Sequence, residues 1–369
     1  MQAKRFIISG GGSGGHVFPA IAIADAIKQE RPDAALLFVG AKGRLEMEKV
    51  PQAGYSIKGL WISGLKRSLT WRNLLFPIKL FDSLIRSRGI IRSFKPDAVI
   101  GVGGYASGPV VAVAALAGIP TVIQEQNSYA GLTNKWLARR VDRICVAYEN
   151  MESFFPADKI TVTGNPVRLD LLEAENVSQE QARHHFGLDP HKRTVLVVGG
   201  SLGARTLNRV LGGSEKQIEL AENIQFIWQI GKLYESDFGH SQTAKLPNVQ
   251  AMTFIDRMDM AYRAADLVIC RAGALTISEL CLLRKASILV PSPNVAEDHQ
   301  TMNAKALVNQ GAALYIPDVE AENELMTQTM MLVHDTPQLS AIESKIGALG
   351  KPGATRNIVN EIFRIADKP

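Results

Sequence analysis

Phe6-Ile7-Ile8-Ser9-Gly10-Gly11-Gly12-Ser13-Gly14-Gly15-His16 and Val195-Leu196-Val197-Val198-Gly199-Gly200-Ser201-Leu202-Gly203-Ala204-Arg205 open in the same way. In each, an apolar run passes through a glycine-rich turn into a helical pattern. Further apolar runs follow at 36–39, 98–102, 121–123 and 143–146 after the first, and at 224–229, 249–252, 267–270 and 287–290 after the second. Helical patterns alternate with them, the signature of parallel sheets covered on both faces. The fold class is therefore α/β, with two Rossmann-like domains and a cleft expected between them. The chain's 369 residues agree, since single cores stop growing near about 250–300 residues. Gly164-Asn165-Pro166-Val167-Arg168 and the polar stretch after it mark the boundary, giving expected domains at 1–166 and 167–352. The tail, 353–369, carries apolar residues at helical spacing and is expected to pack back on the first domain.

Composition sets outer limits. With 46% hydrophobic and 21% charged residues, the chain has an ordinary globular make-up, neither disordered nor fibrous. Cys145, Cys270 and Cys281 are widely spaced and form no CxxC pair, so neither a disulfide framework nor a zinc site is implied, and a reducing compartment fits. The apolar run at the start is too short for a signal-peptide core. Residues 98–124 are uncharged and long enough for a membrane span, but seven Gly and Pro residues favour strand, glycine loop, short helix and strand.

Gly10-x-Gly12-x-x-Gly15 matches the dinucleotide fingerprint, in which glycines let a pyrophosphate approach a helix N-terminus. A nicotinamide cofactor also needs a carboxylate at the end of the second strand. That strand ends Val39-Gly40-Ala41-Lys42, so a NAD site loses its support, and no GxxxxGK[ST] occurs. A tight turn without ligand is the alternative for either glycine run alone. His16 falls at the first helical turn, where the dipole disfavours imidazolium and leaves a neutral ring able to take a proton; a mere capping histidine is the alternative. With no His cluster at ligand spacing and no Asp-x-Asp, metal-free chemistry without a cofactor is the simpler expectation.

In the second half, Ala274, Leu275, Thr276, Ile277, Ser278 and Glu279 open a helix directly after a strand and Arg271-Ala272-Gly273. That arrangement suits a pyrophosphate on the helix N-terminus, with Glu279 reaching ribose hydroxyls or serving only the helix dipole. Gln300 and Asn303, amides in a polar run, suit sugar hydroxyls.

Taken together, the strings GGGSGGHVFPA (10–20), GVGGYASGP (101–109), QEQNSYAGLTNKWLA (124–138), GNPVR (164–168), GGSLGAR (199–205), RAGALTISE (271–279) and EDHQTMNA (297–304) resemble the MurG family of UDP-N-acetylglucosamine:lipid I N-acetylglucosaminyltransferases. The resemblance covers nearly the whole chain. It implies a GT-B fold with an acceptor domain first and a donor domain second. The implied reaction is inverting transfer of N-acetylglucosamine from UDP to the position-four hydroxyl of MurNAc in lipid I, giving lipid II. It also implies His16 as base, and Ser13, Gly14 and Gly15 near substrate phosphates. Asn127, Arg168, Ser201, Ala274 to Glu279 and Gln300 are implied donor contacts, with Glu125 a further candidate and the main chain of Ile255 facing uracil. Leu202 and Ala272 stand where the family often has polar residues, so no side-chain role is carried to them. The implied location is peripheral, on the cytoplasmic face of the bacterial inner membrane, near other cell-wall synthesis proteins. A UDP-N-acetylglucosamine 2-epimerase and a non-catalytic cell-wall scaffold are the alternatives.

The formal charge of +5 is local. Residues 66–95 hold eight basic residues and one acid, a net of +7 that leaves −2 for the rest of the chain. Trp71, Phe81 and other bulky apolar residues sit there among Arg72, Lys79, Arg86, Arg88 and Arg92, with breaks expected at Pro77 and Gly89. An apolar face ringed by cations fits a helix lying on an anionic membrane. A core-facing helix with a basic back, Asp82 pairing with Lys79 and Arg86, is the alternative. No nucleic-acid motif accompanies the charge.

Overall fold

A computed structural model describes residues 3–64, 75–167, 169–200, 202–295 and 298–367. Trp71, Arg72, Arg168 and Ser201 lie outside them. The chain forms two compact units, one of residues 1–168 with 351–369, the other of residues 169–350.

The first unit runs β1 (Arg5–Ser9), α1 (Gly14–Glu30), β2 (Ala35–Ala41), α2 (Glu46–Gln52), β3 (Ile57–Leu60), α3 (Phe76–Phe94), β4 (Ala98–Gly101), α4 (Ser107–Leu116), β5 (Thr121–Glu125), α5 (Leu132–Leu137), β6 (Arg143–Val146) and β7 (Ile160–Val162). Its sheet is parallel, in the order β3-β2-β1-β4-β5-β6-β7. Strand side chains alternate between faces. Ile7, Val39, Val99 and Ile123 pack under α4 and its neighbours, while Phe6, Ile8, Ile100 and Val122 meet α1 and the C-terminal helix.

In the second unit come α6 (Gln179–His185), β8 (Arg193–Val198), α7 (Arg205–Gly212), α8 (Glu215–Glu219), β9 (Ile224–Gln229), α9 (Glu235–Phe238), β10 (Val249–Met252), α10 (Met258–Ala264), β11 (Leu267–Cys270), α11 (Ala274–Leu282), β12 (Ser287–Leu289), α12 (His299–Val308), β13 (Leu314–Tyr315), α13 (Ala321–His334) and α14 (Thr336–Ala348). Its parallel order is β10-β9-β8-β11-β12-β13. The chain then re-enters the first unit as α15 (Ala354–Ala366), where Ile358, Val359 and Ile362 are fully buried beside Phe6.

Two expectations about α3 change. It runs unbroken from Phe76 to Phe94, because Pro77 sits in the first turn, where no N–H is missed, and Gly89 faces solvent. Its buried line is Ser83, Ser87 and Ile91, at helical spacing, whereas Ile78, Phe81 and Ile85 are 57%, 66% and 58% exposed. The helix therefore has two apolar faces: Leu80, Ile90, Ile91 and Phe94 pack on the core, while Ile78, Phe81 and Ile85 point outward. Asp82 accepts from Arg86 Nε through both oxygens, at 2.9 and 2.7 Å; Lys79 instead donates to Ser63 Oγ and lies over the Trp61 ring. Among the described residues no helix is long and apolar enough to cross a membrane.

Candidate active site

Both sheets reverse strand order between their first strand and the fourth, β1/β4 in one unit and β8/β11 in the other. Ligands of doubly wound sheets bind beyond the strand ends at such a reversal. At each reversal the two flanking loops are glycine-rich strings of the sequence, 10–15 and 101–109 in the first unit and 199–205 and 271–279 in the second.

In the first unit Ser13 is the N-cap of α1 in extended conformation, and its hydroxyl makes no cap hydrogen bond. Its Oγ lies 3.3 Å from His16 Nδ1 instead. Gly14 and Gly15 form the helix start, and His16, half-buried, rests on the loop after β4. A Cβ at Gly103 would stand 2.6 Å from His16 Cδ2, and one at Gly104, φ +81°, would stand 2.2 Å from Gly11 O. The 101–109 string thus supplies a bed on which the first glycine loop and the imidazole are seated. The tautomer with Nδ1–H donating to Ser13 Oγ leaves Nε2 as the basic nitrogen.

Glu125, 2% exposed, ends β5. Its Oε1 accepts from Asn127 N and Nδ2, both at 3.1 Å, and its Oε2 from Gly131 N (3.0 Å) and Asn134 Nδ2 (2.9 Å). Four internal donors occupy this carboxylate, so its geometry is that of a clamp shaping the loop that carries Asn127. Gln124 Nε2 donates to Asn165 Oδ1 (2.9 Å) and Asn165 Nδ2 to Gln126 O (3.0 Å), which ties the 164–168 string to the same loop.

In the second unit a cavity of about 470 Å³ opens between the loop after β8 and the start of α11, lined by Gly199, Gly200, Thr206, Arg271, Thr276 and Gln300 among others. Thr276 faces it. Ala274 and Ile277 do not: both are buried, with Leu280 and Cys281, on the sheet side of α11. Their side chains belong to the core, and from the start of this helix it is Gly273 and Thr276 that line the cavity. Leu275 and Ser278 are half-buried, and Ser278 Oγ donates to Ala274 O. Glu279 Oε2 accepts from Tyr262 OH at 2.9 Å, which helps orient the carboxylate. Ile255 is 1% exposed and its N–H donates to Gln229 Oε1 at 3.0 Å. Gln300 Oε1 accepts from Ser292 N at 2.8 Å, leaving its amide NH₂ as the group to offer the cavity. Asn303 is fully buried, its Nδ2 3.5 Å from Ala272 O, and steadies the turn before α11.

Several lining residues escaped sequence reasoning. Arg271 donates through Nη1 to Val290 O (3.0 Å), Pro291 O (3.1 Å) and Asp318 Oδ1, and Thr206 Oγ1 donates to Asp318 Oδ2 (3.0 Å). Gln229, buried at the end of β9, also donates to Gly200 O (2.9 Å) and so joins the glycine loop to Ile255. Asp318 and Gln229 lie in unremarkable sequence, without a motif to announce them.

Residues 6–146 match the Glycosyltransferase family 28 N-terminal domain and residues 194–355 its C-terminal domain. The chain is 54% identical over 369 residues to the UDP-N-acetylglucosamine–N-acetylmuramyl-(pentapeptide) pyrophosphoryl-undecaprenol N-acetylglucosamine transferase of Parabacteroides distasonis, covering all of both chains. It superposes on the crystal structure of Acinetobacter baumannii MurG with a TM-score of 0.78 and 30% identity, over 98% of this chain and 99% of that one. The chain belongs to the MurG family. A UDP-N-acetylglucosamine 2-epimerase structure also superposes, with a TM-score of 0.65 over 98% of this chain and 95% of the other, but at 14% identity it shares the fold alone. The two parallel sheets with their helices are thus the GT-B pair of Rossmann-like units. Leu202, in the second glycine loop, is 58% exposed, and Ala272 is fully buried.

Proposed function

We propose that this chain transfers N-acetylglucosamine from UDP-N-acetylglucosamine to the position-four hydroxyl of MurNAc in lipid I, with inversion, to give lipid II. The observation that carries the reading is the second unit's cavity. It brings a glycine loop, the start of α11 and the Gln300 amide onto one pocket, a set suited to a diphosphate and a polyol. Glu279, oriented by Tyr262, is the ribose partner.

In the reaction, His16 Nε2 takes the acceptor hydroxyl's proton as its oxygen bonds to the anomeric carbon from the side opposite UDP. The bond from that carbon to the diphosphate oxygen breaks and UDP departs with the electron pair. The α11 N-terminus and Arg168 stabilise the departing charge, without a metal ion. Ser13 holds the imidazole's tautomer.

Lipid I is a membrane-bound substrate, and α3 supports docking beside it. Ile78, Phe81 and Ile85 project outward with Arg88 and Arg92 exposed on the same helix. An apolar strip among cations seats on an anionic surface without crossing it. We place the chain peripherally on the cytoplasmic face of the inner membrane, near other cell-wall synthesis proteins.

The deciding experiment supplies labelled UDP-N-acetylglucosamine to the purified chain with a lipid I analogue, with and without a chelator. Label should appear in the lipid product in both arms. Formation of UDP-N-acetylmannosamine without any acceptor would replace transfer by epimerisation.

A further inference from the structure

Glu46 is the first residue of α2, and although it is a carboxylic acid it is 0% exposed. Its Oε1 accepts from Ala41 N, at the end of β2, at 2.8 Å, and its Oε2 accepts from Gly12 N, in the first glycine loop, also at 2.8 Å. The chain makes room for it twice. A Cβ at Gly11 would stand 2.1 Å from Glu46 Oε1, and one at Gly40 would stand 2.5 Å from Glu46 Cγ. A buried acid is costly to keep unless its acceptors are used. Both of these are used, and on backbone alone, one end fixed to the sheet and the other to the loop just before Ser13 and His16.

The same strut limits what the loop can offer a ligand. A glycine loop that receives a diphosphate does so through its backbone N–H groups. Here Gly12 N–H is already given to a carboxylate, and that carboxylate lies beneath the loop. In the second unit the corresponding strut is the neutral amide of Gln229, which grips its loop by a carbonyl, Gly200 O. The two loops look alike in sequence but are held by opposite groups.

We infer that Glu46 is a positioning residue for the acceptor half of the reaction: by taking Gly12 N–H it fixes the loop that sets Ser13 against His16, and it withdraws that amide from diphosphate binding. This rests on the proposed role of His16.

Glu46→Gln keeps the side chain's size but presents an NH₂ to one of the two N–H donors. In the full-length chain with a lipid I analogue, kcat should fall between about ten- and a hundredfold, the scale of a small misplacement of a reacting group. UDP affinity by calorimetry should stay near wild type, and the melting temperature should fall only by the few degrees that one mispaired buried N–H costs. Because Glu46 acts through His16, the Glu46→Gln/His16→Ala double variant should be no slower than His16→Ala. A kcat within about twofold of wild type, or losses that multiply in the double variant, overturns the inference. A slow His16→Ala beside a normal Glu46→Gln sinks only this inference, whereas a normal His16→Ala sinks the base assignment and the inference with it. Should Glu46→Gln fail to fold, Gly40→Ala displaces the Glu46 stem from β2, at a residue without positive φ. It should lower kcat at unchanged UDP affinity, and an unchanged kcat there overturns the inference equally.

Discussion

Ser13 Oγ lies 3.3 Å from His16 Nδ1, across the first turn of α1. The serine occupies the N-cap position yet spends its hydroxyl on the imidazole rather than on the helix. His16→Ala should lose between about 10²- and 10⁴-fold in kcat, the range of a general base. Its affinity for UDP should match wild type, because the donor cavity is built from the second unit's residues. Single-turnover transfer and calorimetry measure the two separately.

Tyr262 OH donates to Glu279 Oε2 at 2.9 Å. Tyr262→Phe removes a hydrogen bond of about 0.5–1.5 kcal/mol that helps orient the carboxylate, so UDP should bind roughly two- to tenfold more weakly. Glu279→Ala should weaken UDP further and raise the donor KM more than it lowers kcat. Unaltered UDP affinity in Glu279→Ala would remove the ribose assignment.

Charge reversal at Arg86, Arg88 and Arg92 together should cut binding to anionic vesicles strongly, each cation near such a surface contributing about 1 kcal/mol. Phe81→Ser should weaken binding to neutral and anionic vesicles alike, because it removes apolar area rather than charge. Activity on a soluble acceptor analogue should be retained in both. Cosedimentation that does not change with charge reversal would dismiss α3 as the docking element.

Asp266, 7% exposed, accepts from Arg183 Nη2 (2.7 Å), Thr194 N (2.7 Å) and Arg193 Nη1 (3.1 Å). Asp266→Ala strands the buried Arg183 guanidinium and should cost about 3–5 kcal/mol in urea unfolding. The exposed pair Arg209–Glu322, 3.2 Å apart, is the contrast: Arg209→Ala should change stability by about 0–1 kcal/mol.

Burial pushes the Lys285 ammonium down from its ordinary 10.5 to about 8, while its Nζ donates to Ala265 O at 2.8 Å. Between those values the unfolded chain binds more protons than the folded one, so stability from this group rises with pH. The cost of burying its charge is complete below about 8 and relieved as pH passes 10.5. Lys285→Met should therefore have its largest stability gain over wild type near neutral pH, shrinking toward alkaline pH. Melting curves across that range provide the check.

Most strands were legible, down to the three residues of Ser287–Leu289, and three edge strands were not. Runs such as Arg193–Val198 and Ile224–Gln229 are apolar because both faces of a parallel sheet are covered. The unexpected strands, Ile57–Leu60, Ile160–Val162 and Leu314–Tyr315, are sheet edges of two to four residues with partly exposed positions, and they leave no run to read. Gly89 suggested a break, but on a solvent-facing turn a glycine costs only about 1 kcal/mol, which the buried line through Ser87 and Ile91 offsets. Within 274–279, the helical period already separates inward Ala274 and Ile277 from Thr276 and Glu279.

By itself the sequence determined two Rossmann-like units, the glycine loops at their strand ends and the family, because each depends on local period and on strings of adjacent residues. Tertiary structure alone decided which groups those loops leave available. Glu46 reaches Gly12 across 34 positions, Gln229 reaches Gly200 across 29, and α3 turns Ile78, Phe81 and Ile85 outward instead of into the sheet. The reason is physical: a hydrogen bond or a buried face is settled by what the fold brings alongside, and distant partners carry no periodicity along the chain.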